Sequence, residues 1–338
     1  MDLTRLLRRA GRRTNVALFG AFAGALLTGV LSFAAGTPLP ARLATVAHGL
    51  LGLAVLALVP WKSVVINRAS RIRVGSLVLL GLLGLCLVAG FVEVFAGYGY
   101  VAGVTPIQVH VGAALFAVPF FAWHVARHHH RQRVSRRDLS RRALMRTAGF
   151  ASATAAGYFL LEGVGGWTGS VAGSRIATGS HRLPAAGIPA TTWLFDAAPV
   201  LDRRTHRVDV QGSALSADEL EARAGPDLRA RLDCTSGWYA DASWTGVAVR
   251  DLIPAALLAE AASIEVRSVT GYARRFPAGE AGSLWLVTRC EGVPLSAERG
   301  APVRLVAPGR RGFWWVKWVA SVRVGDAPSW WQPPFPLQ

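Results

Sequence analysis

Histidines within apolar stretches and a few isolated cysteines are the residues of this 338-residue sequence that could bind a redox-active metal. His48, His110 and His124 each lie in a stretch that is otherwise apolar, where an ionisable group is costly enough to need an explanation. The three cysteines are too few and too widely spaced for a disulfide framework or for a zinc site, which needs about four ligands at short spacing. Any functional cysteine is therefore expected to act singly.

Four apolar stretches are long enough to cross a hydrocarbon core about 30 Å thick, which takes about 20 helical residues. They are 15–36, 43–60, 75–96 and 107–125. The composition agrees, since 52% of the residues are hydrophobic and only 17% are charged. We predict an all-α transmembrane bundle of four helices, followed by a fifth anchor helix.

The net charge of +17 is concentrated in the first half of the chain. Residues 1–146 contain 18 Lys and Arg against 3 Asp and Glu, a net charge of +15, which leaves +2 for residues 147–338. The connections at 37–42 and 97–106 contain one Arg between them. Because Lys and Arg stay on the cytoplasmic side of a membrane, both ends of the four-helix unit are predicted to be inside. The charge thus indicates topology and no nucleic-acid partner.

His48 and His110 are predicted to lie at similar depths in the membrane. Both of their helices are predicted to run from outside to inside, and the two residues lie roughly 8 Å and 5 Å below the outer surface at 1.5 Å per residue. Two imidazoles at matching depth are what a b-type haem with two axial histidines requires. We predict one haem b, with its iron bound by His48 and His110. The alternative is that both are packed or interfacial histidines bonded to backbone carbonyls.

His124 lies about 21 Å deeper, at the inner interface. The spacing of 14 residues from His110 resembles the two-haem arrangement of the cytochrome b family, but positions 61–63 on the second helix are Trp, Lys and Ser. Whether His124 binds a second haem stays open at this point. The run of histidines at 128–130 is interpreted as a solvated basic flank.

A fifth, less apolar stretch covers 147–165 and is preceded by Ser-Arg-Arg-Ala-Leu-Met-Arg at 140–146. This run resembles a twin-arginine export signal; the alternative is the basic flank of one more membrane helix. Either interpretation places residues 170–338 outside, on the periplasmic or extracellular side of the cell membrane. The predicted protein is therefore a multi-pass membrane protein in contact with lipid.

Four segments follow from these patterns: a cytochrome b-like membrane domain at 1–130, the flank and fifth helix at 131–168, a linker at 169–192 and an outer domain at 193–338. The outer domain is predicted to be α+β and mostly β. Predicted strands lie at 206–212, 263–269, 283–289, 302–308 and 316–324, and predicted helices at 216–224 and 247–258.

Three separated blocks of the outer domain carry a resemblance. They are LDCTSGW at 232–238, WTGV at 244–247, and GAPVRLVAP at 300–308 leading into GFWWVKW at 312–318. Together they resemble the molybdopterin-binding domain of the sulfite oxidase superfamily. The Cys-x-x-Gly-Trp form is nearer to the periplasmic branch that includes the catalytic subunit of the protein-methionine-sulfoxide reductase.

The resemblance implies a molybdenum-molybdopterin cofactor whose metal takes a thiolate from Cys234, which would be both the metal ligand and the catalytic residue. The cofactor contacts that the family pattern implies are Thr270, Arg304, Gly312, Phe313 and Lys317. Four other arginines are interpreted as surface residues: Arg274, Arg275, Arg310 and Arg311. The alternative is that they make further contacts with the phosphate or the substrate. Cys86 and Cys290 are interpreted as structural. The family often has His or Asn at the position of Arg299, so the resemblance does not identify the substrate.

The expected function couples both halves: an oxidoreductase that exchanges electrons between the membrane quinone pool, or a redox partner, and an outer site for oxygen-atom transfer. The substrate class is a small-molecule or protein-bound S-oxide or N-oxide. Two alternatives are a sulfite-type oxidase on the same scaffold and a non-catalytic haem electron carrier with a partner-binding outer domain. Three candidate proton donors, Tyr239, Asp241 and Tyr272, are not distinguishable by sequence.

Overall fold

The computed structural model describes residues 12–67, 74–101, 103–128, 140–191 and 197–335. It divides into two compact units. The first, called here the helical unit, comprises residues 1–32 and 41–181, and the second, the sheet unit, comprises 33–40 and 182–338. Several basic segments used above to predict topology, at 1–11, 68–73 and 129–139, lie outside the described residues.

The helical unit confirms the predicted all-α N-terminal fold. Its long helices are α1 (Arg12–Ala34), α2 (Pro38–Asn67), α3 (Val74–Ala96), α4 (Pro106–His128) and α5 (Arg141–Trp167). The connection predicted at 37–42 is wrong, because α2 begins at Pro38. Proline is tolerated in the first turn of a helix, where its missing N–H has no intrahelical partner in any case.

Small and apolar side chains from the first four helices form the bundle core. Ala21 and Phe22 of α1, Val55 of α2, Leu79 of α3 and Ala117 of α4 are all buried in one cluster. These four helices are long and apolar enough to cross a membrane. The apolar side chains that point out of the bundle therefore suit a lipid environment.

Helix α5 is the predicted fifth anchor. Ser140 caps its N-terminus by accepting a hydrogen bond from the N–H of Ala143 at 3.4 Å. At 27 residues, α5 is about 40 Å long, but in the described part of the chain it is not among the helices apolar enough for a membrane span. Arg141 and Arg142 occupy its first turn, where positive charge is unfavourable to the helix dipole. The membrane crossing and the export signal stay predictions.

The sheet unit confirms an α+β fold that is mostly β. Its strands are β1 (His181–Arg182), β2 (Val208–Val210), β3 (Ser213–Leu215), β4 (Leu228–Cys234), β5 (Trp238–Ala248), β6 (Ser263–Ser268), β7 (Ala273–Pro277), β8 (Trp285–Cys290), β9 (Val293–Pro294), β10 (Arg304–Val306) and β11 (Val319–Gly325). Two short helices, α6 (Ala217–Ala222) and α7 (Ala255–Glu260), accompany them. One sheet runs β1-β5-β8-β10, with β4 on β5 and β9 on β8; the other runs β3-β2-β11-β6-β7.

The β4–β5 hairpin was not predicted, although it carries the Cys-x-x-Gly-Trp block. The helix predicted at 247–258 is wrong in its first half, since Val247 and Ala248 continue β5. These residues are buried on both faces of the sheet, so they lack the alternation by which a strand is recognised. Gly246 lies at a register shift of β5 against β8, and a Cβ there would be 2.1 Å from the carbonyl oxygen of Leu286. Only glycine fits this approach.

Candidate functional site

Cys234 is the last residue of β4, at the mouth of a tight turn into β5. Its carbonyl oxygen accepts a hydrogen bond from the N–H of Gly237 at 3.2 Å, and Gly237 has a φ of +91°, which favours glycine. The thiol is 3.4 Å from the hydroxyl of Ser236, and the residue is only 8% exposed. The turn therefore presents a nearly buried thiol at the end of a rigid hairpin.

Three of the five predicted cofactor contacts lie around this thiol. Arg304, Gly312 and Lys317 line one cavity with Cys234, together with Trp238 and Arg299. The cavity has about 320 Å³ of empty space, including its open mouth. It brings together residues that are up to 129 positions apart in the chain, from Ile188 to Lys317. Arg299, which the sequence marked only as a departure from the family pattern, is part of the same wall.

Two buried N–H donors of this cavity have no hydrogen-bond partner among the described residues. They are Nε of Arg304, a residue 3% exposed, and Nε1 of Trp238, a residue 1% exposed. A buried donor that stays unpaired costs about 1–3 kcal/mol. The guanidinium of Arg304 lies 5.3 Å from the ring centroid of Trp244, and burial lowers the pKa of Arg304 to about 10, so it stays charged at neutral pH. A ligand rich in acceptors would satisfy these donors.

Lys317 is a half-buried basic residue that lines the same cavity as the thiol. Its Nζ donates to the carbonyl oxygens of Thr191 at 2.6 Å and Glu298 at 2.7 Å. Burial, reinforced by the charge of Arg304, lowers the pKa of Lys317 to about 7. An anion in the cavity would therefore hold Lys317 in its charged form.

Gly312 and Arg311 lie against the Cys234 backbone. A Cβ at Gly312 would be 3.2 Å from both the Asp233 carbonyl oxygen and the Cys234 Cα, so a larger residue would push the hairpin away. Arg311 is 4% exposed, donates from Nη2 to the carbonyl oxygen of Cys234 at 3.3 Å and lies 3.4 Å from Asp233 Oδ2. The interpretation of Arg311 as a surface residue is therefore wrong.

Thr270 and Phe313, the other two predicted cofactor contacts, do not line this cavity. Thr270 is exposed in the turn between β6 and β7, and its hydroxyl donates to Ser268 Oγ at 3.1 Å. The carbonyl oxygen of Phe313 accepts a hydrogen bond from the hydroxyl of Tyr272. Arg274 is 2% exposed with its guanidinium 5.1 Å from the Phe313 ring, so its interpretation as a surface residue is also wrong.

The three candidate proton donors lie elsewhere. Asp241 accepts two hydrogen bonds from Arg231, from Nε at 2.7 Å and from Nη2 at 3.1 Å, on the surface of the β4–β5 hairpin. The ring of Tyr239 packs under the same guanidinium at 4.7 Å. Tyr272 accepts a hydrogen bond from Arg274, and burial raises its pKa. A larger groove on this hairpin, of about 780 Å³, contains Arg231 and Asp241 already paired with each other.

In the helical unit, the structure brings together the predicted haem ligands. The ring centroids of His48 on α2 and His110 on α4 are 5.7 Å apart, and the ring planes are inclined at 84°. Two imidazoles that bind one metal from opposite sides, with bonds of about 2.0 Å, have centroids roughly 6 Å apart. The separation therefore fits two axial ligands of one iron.

A hydrogen bond at Nδ1 fixes the orientation of each of these rings. Nδ1 of His48 lies 2.8 Å from the carbonyl oxygen of Ala25, and Nδ1 of His110 lies 2.7 Å from that of Cys86. Both Nδ1 atoms are therefore donors, which leaves Nε2 as the nitrogen that could bind a metal. Gly90 makes room for one ring, because a Cβ there would be 2.9 Å from Nδ1 of His110. The same hydrogen bonds would also hold two packed histidines, the alternative stated above.

Cys86 and His124 complete the polar groups of the bundle considered by sequence. The Cys86 thiol lies 3.4 Å from Nδ1 of His110, so it does not simply face lipid. On α2, Lys62 donates to Oδ1 of Asn15 at 3.0 Å, at the level where a second haem would need a ligand. The histidines at 129 and 130 lie outside the described residues.

The pKa of Lys317 leads to a prediction for stability. Unfolded, this lysine titrates near 10.4, whereas in the folded, cofactor-free protein it titrates near 7, so the unfolded chain binds more protons between these values. The free energy of unfolding should therefore rise from pH 7 to pH 9, by at most about 1.4 kcal/mol per pH unit from this group. Thermal unfolding followed by tryptophan fluorescence should show the rise in the cofactor-free wild type and not in Lys317→Met. A cofactor-loaded wild type with the same slope would argue against an anion beside Lys317.

Comparison with known proteins gives one family match, and it lies within the sheet unit. Residues 196–331 match the family described as "Oxidoreductase molybdopterin binding domain". Among solved structures, the sulfane dehydrogenase SoxCD from Paracoccus pantotrophus is 21% identical, with a TM-score of 0.35. That match covers 38% of this chain and 40% of the other, which is too limited to carry an argument about substrate. No curated protein matches the chain.

The family match covers β2 to β11, and therefore Cys234 and all the residues of its cavity that follow it in the chain. Residues 196–331 thus match a molybdopterin-binding oxidoreductase domain, which follows four helices apolar enough to cross a membrane.

Proposed function

We propose that this protein is a membrane-bound molybdenum oxidoreductase that exchanges electrons between the membrane quinone pool and an outer oxygen-atom-transfer site through one b-type haem. The proposed substrate is an S-oxide or N-oxide, either a small molecule or part of a protein. The proposed location is the cell membrane, with residues 170–338 on the periplasmic or extracellular side.

The observation that carries the proposal is the setting of Cys234. A buried thiol shares a cavity with Arg304, Lys317 and the close-packed Gly312, and two buried donors there lack partners. A soft thiolate suits molybdenum, and cationic and N–H donors suit the anionic phosphate of a pterin. When bound, the molybdenum cofactor supplies two-electron oxygen-atom transfer.

The roles of the chain's residues follow from this chemistry. Cys234 would hold the metal at the end of the rigid β4–β5 hairpin, while Arg304 and Lys317 would neutralise the phosphate. Thr270 and Phe313, outside the cavity, are retained as proposed contacts only on the family resemblance. The departure at Arg299 leaves a third cation in the cavity wall, which suits a substrate with an electron-rich oxygen.

The haem is proposed on the geometry of His48 and His110. Support comes from the 5.7 Å separation of the rings, from the Nδ1 hydrogen bonds that leave each Nε2 available for a metal, and from Gly90, which leaves space for one ring. A one-electron carrier of this kind would let a two-electron centre exchange electrons singly with the membrane. Half-buried Lys62, bonded to Asn15 at the inner level of α2, argues against a second haem at His124.

A survey of oxygen-atom acceptors and donors tests the function. The purified full chain in detergent is reduced with a quinol analogue, and S-oxides, N-oxides and, separately, sulfite are added while the haem absorbance is followed. We expect S-oxides or N-oxides to reoxidise the haem. Reduction of an oxidised haem by sulfite would instead support a sulfite-type oxidase, and a response to neither would favour an electron carrier.

A further inference from the structure

A buried carboxylate in α3 is unused by the function proposed above. Glu93 is 7% exposed, and neither carboxylate oxygen has a hydrogen-bond partner among the described residues. It lies three residues before the end of α3, within a helix apolar enough to cross a membrane. An ionisable side chain in such a place is costly and usually handles protons or ions.

Glu93 lies beside the helix that carries a proposed haem ligand. Gly90, three residues before it and about 4.5 Å along the helix axis, packs against the His110 ring. Helix α4 packs along α3, and the N–H of Ile107 in its first turn is a favourable electrostatic neighbour of the carboxylate. A charge on Glu93 would therefore be felt at the metal position in a medium of low dielectric constant.

The charged groups around Glu93 do not neutralise it fully. Arg175 favours the carboxylate, but its guanidinium is already paired with Glu162 at 2.6 Å. His110 faces α3 from α4. His181, 2% exposed, donates from Nε2 to the carbonyl oxygen of Glu93 at 2.7 Å, while its Nδ1 has no partner in the described structure.

His181 is suited to pass a proton between Glu93 and water. Burial lowers the pKa of His181, so the ring is neutral at neutral pH and its Nδ1 keeps a lone pair. The carbonyl oxygens of Glu93 and Val171 would stabilise the protonated ring. His181 thus contacts the last turn of α3 through the backbone carbonyl of Glu93.

We propose that Glu93 binds one proton when the haem between His48 and His110 is reduced and releases it when the haem is oxidised. The inference rests on the haem of the proposed function. One carboxylate oxygen forms an O–H bond with a proton that comes from water through His181, while the electron comes from the quinol of the proposed function. The net charge of the buried site is then unchanged, which avoids the cost of an added charge in a low-dielectric region.

Redox titration of the full chain at several pH values from 6 to 9 tests this proposal. The wild-type midpoint potential should fall with rising pH, by up to about 59 mV per tenfold change in proton concentration for one electron and one proton. In Glu93→Gln the potential should not depend on pH, because the amide has a similar shape and does not titrate. The control is Asp251→Asn, a carboxylate of the sheet unit that is 59% exposed, which should keep the slope.

A pH-independent wild type, or equal slopes in wild type and Glu93→Gln, would overturn the proposal. So would a slope that is lost only in His181→Gln, which keeps a donor for the Glu93 carbonyl but cannot titrate. If Glu93→Gln does not retain haem, redox-difference infrared spectra of the wild type decide: a protonated-carboxyl band sensitive to deuterium should appear on reduction. Absence of any b-type spectrum in the purified protein would instead contradict the haem of the proposed function.

Discussion

Cys234→Ala is expected to lose its molybdenum and its turnover. The thiol is the only cysteine side chain in the cavity that also contains Arg304 and Lys317, as far as the described residues extend. Changes to groups that only orient a metal ligand already cost 10–100-fold in affinity or activity, so loss of the ligand itself should cost more than about 100-fold. Elemental analysis of the purified chain and the rate with the best substrate of the survey measure both effects.

Cys290→Ala is the matched control for this change. Cys290 is also a buried, unbridged cysteine of the sheet unit, at the end of β8, but it does not line the cavity. It should retain molybdenum and most of the turnover, with some loss of stability from the space created in the core. Equal metal content in wild type and Cys234→Ala would contradict the assignment of the ligand.

His48→Ala and His110→Ala are each expected to remove most of the b-type absorbance. Each change removes one of the two nitrogens that would bind the iron. Only one histidine of the pair then remains as a ligand. Reduced-minus-oxidised spectra per mole of purified chain give the measurement. Gly90→Ala should act in the same direction but less strongly, because its new Cβ would lie 2.9 Å from Nδ1 of His110 and displace the ring.

His124→Ala provides the control and should leave the spectrum as it is. An unchanged spectrum in His48→Ala would contradict the haem assignment and favour packed histidines bonded to carbonyls. The two sets of variants also control each other. Cys234→Ala should keep its haem, and His48→Ala should keep its molybdenum, because the ligands belong to separate compact units.

The helical unit was largely predictable because its information is local. Runs of about 20 apolar residues identify membrane helices without knowledge of their neighbours, and all four such runs are helices in the structure. Helical rise then placed His48 and His110 at matching depth, and the structure has their rings 5.7 Å apart. Glu93 escaped notice, since one acidic residue does not disturb the hydropathy of α3, and only its burial without partners marks it.

The sheet unit was predictable at its motifs and less so between them. The blocks around Cys234, Arg304 and Gly312 pointed to one site, and these residues do line one cavity. The β4–β5 hairpin that positions Cys234 was missed, although exposed Arg229 and Arg231 alternate with buried Ala230 and Leu232 in β4. Arg274 and Arg311 were taken for surface residues, since arginine is rarely buried unless it is paired.

Composition, periodicity and spacing were enough to predict the four apolar helices and to single out His48, His110 and Cys234 as candidates. Each of these patterns lies within a short segment of the chain. Only the tertiary structure decided which arginines are buried, that Lys317 contacts the carbonyl of Thr191, and that Thr270 lies away from the thiol. Burial and hydrogen bonding depend on contacts between residues far apart in the chain, which no local pattern records.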